Sequence, residues 1–298
     1  MKHIFVVNPA AGRGDVLRYV QERVAGRPGC EILETSGSLE TIRAIRERAF
    51  SAREALCYVA CGGDGTVNAV ASGVATAPLA GMTVLPLGSG NDFVKAFGGA
   101  ERFRDVDALL AAKLRPIDIL RVGDRWAVNA FHFGLDAAVA KTMNDVKTKA
   151  IIGGKRAYPT GVAKALVCNM RTWCRMTVDG EVLHEGDMLL CTVANGQYVG
   201  GSYRCAPRSR PDDGLAEVCL VEPVSRLRFL MLMNAYKEGT HLEDPRFAGV
   251  VRYRRGQVIE VEGKPGFMVS LDGEIVEGEK FRVEVVPGGL LFAVPGEE

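Results

Sequence analysis

A chain of 298 residues, 47% hydrophobic and 24% charged, has the balance of a folded globular protein and excludes a disordered one. At roughly 150 residues per domain it holds one large domain or two ordinary ones, and its net charge of +1 offers no global field for nucleic acid. No stretch reaches the roughly 18 uncharged apolar residues of a membrane span, and the apolar run at residues 4–7 is too short for a signal peptide, so a soluble cytoplasmic protein is expected.

In chain order, residues 4–7 read as a buried strand ending in the small-residue turn Asn8-Pro9-Ala10-Ala11-Gly12-Arg13-Gly14. Residues 16–25 carry a helical pattern and 31–35 a second strand; 39–50 read as an amphipathic helix with Leu39, Ile42, Ile45 and Phe50 on its apolar side. Residues 56–61 are a third strand, ending at Gly62-Gly63, and 82–87 a fourth, ending at Gly88-Ser89-Gly90. Strands alternating with helices predict a doubly wound α/β sheet with ligands at the carboxyl ends of its strands. From about Ile117 short β-rich runs dominate: 117–121, 126–131, 176–178, 188–194, 216–221, 250–253, 258–262, 267–271 and 281–286. Turn signals such as Asp179-Gly180 and Asp272-Gly273 separate them, and helices are expected only near 157–172 and 227–238. The expectation is an α/β domain over 1–120 and an antiparallel, sandwich-like β-rich domain over 121–298. The last residues are free to return to the first domain.

The eight cysteines include no CxxC pair and the four histidines lie far apart, which argues against a zinc site or a Cys-His nucleophile. Several cysteines fall inside apolar runs, where a reduced thiol behaves as a small hydrophobe.

The chemistry points to three glycine-rich turns, 8–14, Gly62-Gly63-Asp64-Gly65-Thr66 and Gly88-Ser89-Gly90-Asn91-Asp92, which a doubly wound sheet brings to one edge. Glycines let backbone N–H groups approach a phosphate, and a following helix N-terminus adds partial positive charge. Asp64 and Asp92 place carboxylates beside it, which suits Mg²⁺. A single such turn reads more simply as a strand-to-helix connection; three together, two carrying Asp, favour the phosphate. None is GxxxxGK[ST] or a clear GxGxxG, so neither a Walker-type NTPase nor a dinucleotide dehydrogenase is indicated.

At these residues the chain resembles the diacylglycerol kinase catalytic superfamily, in particular its bacterial soluble lipid kinases. Asn8-Pro9-Ala10-Ala11-Gly12 is similar to the family's opening loop. Gly62-Gly63-Asp64-Gly65-Thr66-Val67-Asn68 matches its GGDGTxN signature, and the segment from Pro86 to Phe93 its PxGTxNDF signature. Ala194-Asn195-Gly196, Pro211-Asp212-Asp213-Gly214-Leu215 and Leu271-Asp272-Gly273-Glu274 follow in the family's order, so the resemblance covers essentially the whole chain. Two positions depart: Ala69 stands where the family usually has Glu, and Ser89 where Thr is common.

The resemblance implies an NAD kinase- and phosphofructokinase-like nucleotide domain, ATP and Mg²⁺ as cofactors, and phosphorylation of a lipid hydroxyl, diacylglycerol foremost. It places the nucleotide against Asn8, Pro9, Ala10, Ala11, Gly12, Thr35, Gly63, Asp64, Gly65, Thr66, Val67, Asn68, Ala69 and Ser89. It makes Asp64 the holder of the catalytic Mg²⁺ with support from Asp92, and Glu274 the general base. Asp213, with the backbone carbonyls of Arg210 and Leu215, becomes the site of a second Mg²⁺. Read without the resemblance, Asp64 and Asp92 serve equally as helix caps and Asp272-Gly273 as a hairpin turn. Two rival functions remain, an NAD kinase with a soluble substrate and a silent nucleotide-binding module. Dimers are common among similar proteins, and the sequence leaves the assembly open.

Residues 141–175 hold eight basic residues against one acid, Asp145. A solvated helix face accounts for this; so does a surface that docks transiently on anionic membrane lipids.

Overall fold

Four strands at the start of the chain, β1 (Lys2–Val7), β2 (Cys30–Glu34), β3 (Leu56–Gly62) and β4 (Ala80–Pro86), pair in parallel in the order β2-β1-β3-β4. The computed structural model describes residues 1–9, 15–35, 39–148 and 170–297, with backbone alone for 142–148. β3 and β4 are buried at every residue, as unbroken apolar runs require when both faces of a sheet are covered. Helices α1 (Val16–Val24), α2 (Leu39–Phe50) and α3 (Asp64–Val74) follow the first three strands. On α2 the expected apolar side is only partly a core face. Ile45 is buried, but Leu39 and Phe50 are exposed, the latter under the Arg46 guanidinium.

Two short 3₁₀ turns and α4 (Val106–Ala111) lead into β5 (Leu114–Val122), β6 (Arg125–Ala127) and β7 (Ala130–Gly134). Then come α5 (Leu135–Thr148), β8 (Thr172–Val178), β9 (Glu181–Met188), β10 (Leu190–Ala194), β11 (Ala216–Val221) and α6 (Arg226–Glu238). The chain closes with β12 (Val251–Gly256), β13 (Val258–Gly263), β14 (Met268–Leu271), β15 (Glu274–Glu277) and β16 (Lys280–Ala293). An antiparallel sheet, β12-β11-β10-β7-β14-β15, faces strands of the other sheet across a core that includes Phe131, Phe133, Met176, Val218, Ile259 and Val283. The expected class, an α/β nucleotide-type domain followed by an antiparallel sandwich, is the observed one.

The 14-residue β16 joins the two halves. It runs antiparallel to β13 and β5, and at Phe292 it sets itself parallel beside Met82 of β4. One ten-stranded sheet therefore passes from the parallel strands into the sandwich. Phe292 packs edge-on to Phe93 and against Phe97, pinning the segment after β4 to this strand. Asp118 of β5 is buried at the junction, where its carboxylate accepts N–H bonds from Gly214 at 2.6 Å and Gly288 at 3.0 Å.

Several expectations fail. α5 occupies residues where no helix was expected, because Leu135, Ala138 and Val139 continue the apolar run of β7 and hide the change of period. The break is Gly134, at φ 82°. β9 was missed because, as an edge strand, it buries little besides His184 and Met188. Thr172 opens a strand rather than closing a helix, and the rest of the helix expected at 157–172 lies, up to residue 169, outside the described residues. Seven cysteines are described, all unbridged and six of them buried. Among the described residues no helix is long and apolar enough to cross a membrane.

Candidate active site

The carboxyl ends of all four parallel strands open into one cleft of about 1200 Å³, where Asn8, Thr35, Gly63 and Ser89 face the same space. Two of the turns touch through their backbones. A Cβ on Gly88 would stand 2.3 Å from the Gly63 Cα, so that position accepts no side chain, and one on Gly63 would be tight at 3.2 Å from the Gly88 Cα. Asn91, at φ 50°, folds its amide back on Gly88, accepting its N–H at 3.1 Å and donating to its carbonyl at 2.9 Å. Helix α3 starts at Asp64 and turns its N-terminus to the cleft, along whose wall Gly65, Thr66, Val67, Asn68 and Ala69 lie. Thr35 is buried, its hydroxyl donating to that of Thr41 at 2.7 Å. Of the opening loop, Pro9 is exposed; Ala10, Ala11 and Gly12 lie outside the described residues.

Asp64 and Asp92 do meet. Asp64 Oδ1 accepts the Asp92 backbone N–H at 2.7 Å, and the Asp64 carboxyl is pushed up to about 6 by burial and by the negative charge of Asp92. Asp92 is fully engaged: Oδ1 accepts from Lys95 Nζ at 2.6 Å and Oδ2 from the Gly201 backbone N–H at 2.9 Å. Lys95 also donates to the Gly201 carbonyl at 2.6 Å, tying this pair to the sandwich half. Asp64 Oδ2 is left beside Gly90, where a Cβ would lie only 2.5 Å away. A buried carboxylate on the cleft wall, repelled by a second carboxylate, fits a divalent cation or its water shell. Asp64 would be the residue to hold such an ion, and Asp92 orients that carboxylate through its backbone N–H.

Glu274 stands on the opposite lip. It follows a two-residue hairpin turn in which Asp272 and Gly273 both have positive φ, 47° and 94°. Asp272 is not merely a turn former. Its carboxylate accepts N–H bonds from Val128 (2.7 Å), Asn129 (3.1 Å) and Ala130 (2.8 Å) and from the Asn68 side chain (2.7 Å), so it anchors the hairpin to α3. Burial raises its pKa, making it a weaker acid, while those four hydrogen bonds pull the other way. Glu274 itself is 63% exposed and pairs with Arg125 at 2.7 Å. Lys95, Arg125 and Asp272 were missed as site residues. The sequence signals were the Asp92/Lys95 spacing and the Asp-Gly dipeptide; nothing local marks Arg125.

Beyond the turns the cleft continues as an apolar limb between α5, α6 and the six-stranded sheet, lined by Leu135, Leu190, Val221, Phe229, Leu232 and Met233. His132 and Asp136 lie on its wall.

At the expected second Mg²⁺ site the carboxylate of Asp213 is paired within the protein. Asp213 Oδ1 accepts the Leu215 N–H at 3.2 Å, and Oδ2 is taken by the Arg255 guanidinium, so neither oxygen is uncommitted. The Arg210 side chain turns to Asp212 at 3.4 Å. The positive charge expected from a metal is supplied by Arg255, a residue 42 positions away in sequence. Among the described residues no cluster of three or more metal-ligating side chains forms. Of the basic segment, Arg171 and Arg175 pair with Asp187 and Glu185, while the side chains of 142–169 lie outside the described residues.

Residues 2–122 match the diacylglycerol kinase catalytic domain, and 129–294 match the YegS C-terminal NAD kinase beta sandwich-like domain. A relative from Pseudomonas aeruginosa, named probable lipid kinase YegS-like, is 32% identical over 85% of this chain and 81% of its own. One of the same name from Enterobacter sp. is 27% identical over 95% of this chain and 84% of its own. Among solved structures, a diacylglycerol kinase from Bacillus anthracis superposes with a TM-score of 0.70 at 19% identity, covering 99% of this chain and 97% of that one. An NAD kinase from Archaeoglobus fulgidus, solved in complex with ATP, gives 0.53 at 14% identity, with 99% and 94% covered. At these identities the two structures speak for the fold.

Proposed function

Because this chain belongs to the YegS-like family of lipid kinases, we propose that it transfers the γ-phosphoryl group of ATP to the free hydroxyl of a membrane lipid, diacylglycerol foremost. One observation carries the reading: a single cleft joins glycine turns suited to phosphates to an apolar limb suited to acyl chains. The nucleotide lies along the carboxyl ends of β1–β4, its phosphates against the backbone of residues 63–66 and 88–90 at the α3 N-terminus. Bound Mg²⁺ offsets the phosphate charge. Asp64 would hold the ion, and the Lys95–Asp92–Gly201 bridge keeps Asp64 in place.

Glu274 takes the proton of the lipid hydroxyl as the oxygen–phosphorus bond forms and the bond to the β-phosphate oxygen breaks, releasing ADP. Arg125 steadies the glutamate, and Asp272 fixes the hairpin that carries it. The lipid is met at an anionic bilayer surface. In support, α6 lines the apolar limb with Phe229, Leu232 and Met233 while its other side leaves Leu227, Leu230 and Met231 54–69% exposed.

The test is incubation with labelled ATP, Mg²⁺ and a panel of lipids in mixed micelles, with NAD as a soluble acceptor. Label in phosphatidic acid supports the reading. Label in NAD alone, or in no acceptor, overturns it.

A further inference from the structure

The apolar limb is not apolar throughout. On β7, Phe131 and Phe133 point into the core between the sheets, so His132 points the other way, toward α5 and α6. Its register partners on the two neighbouring strands, Thr192 of β10 and Ser270 of β14, share that face. A row of three buried polar side chains therefore crosses the floor beneath the limb. Asp136, in the first turn of α5, lines the limb beside it. Among the described residues, His132 Nδ1, Ser270 Oγ and Asp136 Oδ2 have no hydrogen-bond partner.

Such groups are destabilising when left unpaired inside a protein, and apolar residues of similar size would pack the same volume without that penalty. Of these, His132 and Asp136 lie in the cavity wall, where they call for a partner that arrives with the ligand. Burial alone acts on Asp136, pushing its carboxyl up to about 7, and it pushes the His132 imidazole down to about 4. Both groups are then favoured in uncharged forms that offer a proton to share. An uncharged hydrogen-bond acceptor satisfies them, whereas a phosphate or carboxylate would be repelled whenever Asp136 ionises.

We propose that Asp136 and His132 form a subsite that recognises an ester carbonyl of the acceptor lipid, at the point where its acyl chain enters the limb. This rests on the lipid-acceptor reading of the cleft and deepens it, since it distinguishes ester lipids from ether lipids of the same length. Asp136 acts here in substrate selection; it takes no part in the phosphoryl step.

The experiment compares diacylglycerol with the dialkyl ether of the same chain lengths in detergent micelles. It uses the full chain as wild type, Asp136→Leu and Asp136→Asn. Retention of radiolabelled lipid without ATP is measured beside kcat/KM with ATP and Mg²⁺. Wild type is expected to favour the ester about tenfold in both, the worth of one buried hydrogen bond. Asp136→Leu brings the ratio toward one and raises Tm, because it removes an unsatisfied buried carboxyl. Asp136→Asn keeps most of the preference, because its amide still donates. Equal ester-to-ether ratios in wild type and Asp136→Leu overturn the proposal, and so does a wild type indifferent to the ester. Ester-selective retention without phosphate transfer to any lipid supports the subsite while sinking the kinase reading.

Discussion

At Asp64 two requirements conflict. A helix N-terminus and a neighbouring N–H favour the carboxylate, but burial and Asp92 disfavour it more, and the balance lies near 6 instead of 3.8. The native state therefore binds this proton more tightly than the unfolded chain does. The stability tied to it is complete below about pH 4 and is lost as pH rises through 6. Asp64→Asn is thus expected to raise stability at pH 8 by about 1–3 kcal/mol, by less as the pH falls toward 4, while lowering turnover more than about a hundredfold. Thermal unfolding at several pH values and a labelled-ATP assay check both halves; a stability gain independent of pH would count against the assignment. Glu274→Gln should leave nucleotide affinity little changed and lower turnover by roughly 10²–10⁴-fold. A variant that keeps more than about a tenth of the rate would reduce Glu274 to a partner of Arg125. The sequence makes the Asp272-Gly273 turn visible through its dipeptide, yet the anchoring role of Asp272 depends on Asn68, 204 residues away, and on three backbone N–H groups that no local pattern reports.

Among the elements, β1, β3 and β4 could be read from sequence because each joins an unbroken apolar run to a turn of small residues, so period and punctuation agree. α5 and β9 could not, the first merging with an apolar strand and the second lacking an apolar face. α6 was expected, but its use of two faces was not. Phe229 and Leu232 turn inward while Leu227, Leu230 and Met231 face out, which blurs the amphipathic stripe. Its first turn carries Arg226 and Arg228 and no acid, against the helix dipole, an arrangement that an anionic surface would favour. Replacing Leu227, Leu230 and Met231 together by Ser should weaken binding to anionic vesicles by about tenfold or more and leave Tm unchanged or higher, because little buried area is lost. Vesicle flotation at low and high salt reads this out, with binding of the parent chain falling as salt rises. Equal flotation of parent and variant would remove α6 as the contact.

For the molecule as a whole, the ten-stranded sheet makes the two halves one cooperative body. Asp118 is the most concentrated link, joining β5 to the segments that hold Gly214 and Gly288. Asp118→Ala leaves two N–H groups without their acceptor and should cost about 2–4 kcal/mol. The loss should appear as a single calorimetric transition at lower temperature; two separated transitions would mean that the halves unfold independently. The insertion of β16 beside β4 has a consequence for biosynthesis. Strands β1–β4 leave the ribosome first, yet β4 keeps an open, largely apolar edge until residues 280–293 have been made, some 200 residues later. Throughout that interval the nascent nucleotide half presents an unpaired parallel strand to its neighbours on the polysome. A chain cut short before β16 is thus a candidate for edge-to-edge aggregation, and completing the last strand both seals that edge and fixes the Phe93 segment from which Asp92 reaches Asp64.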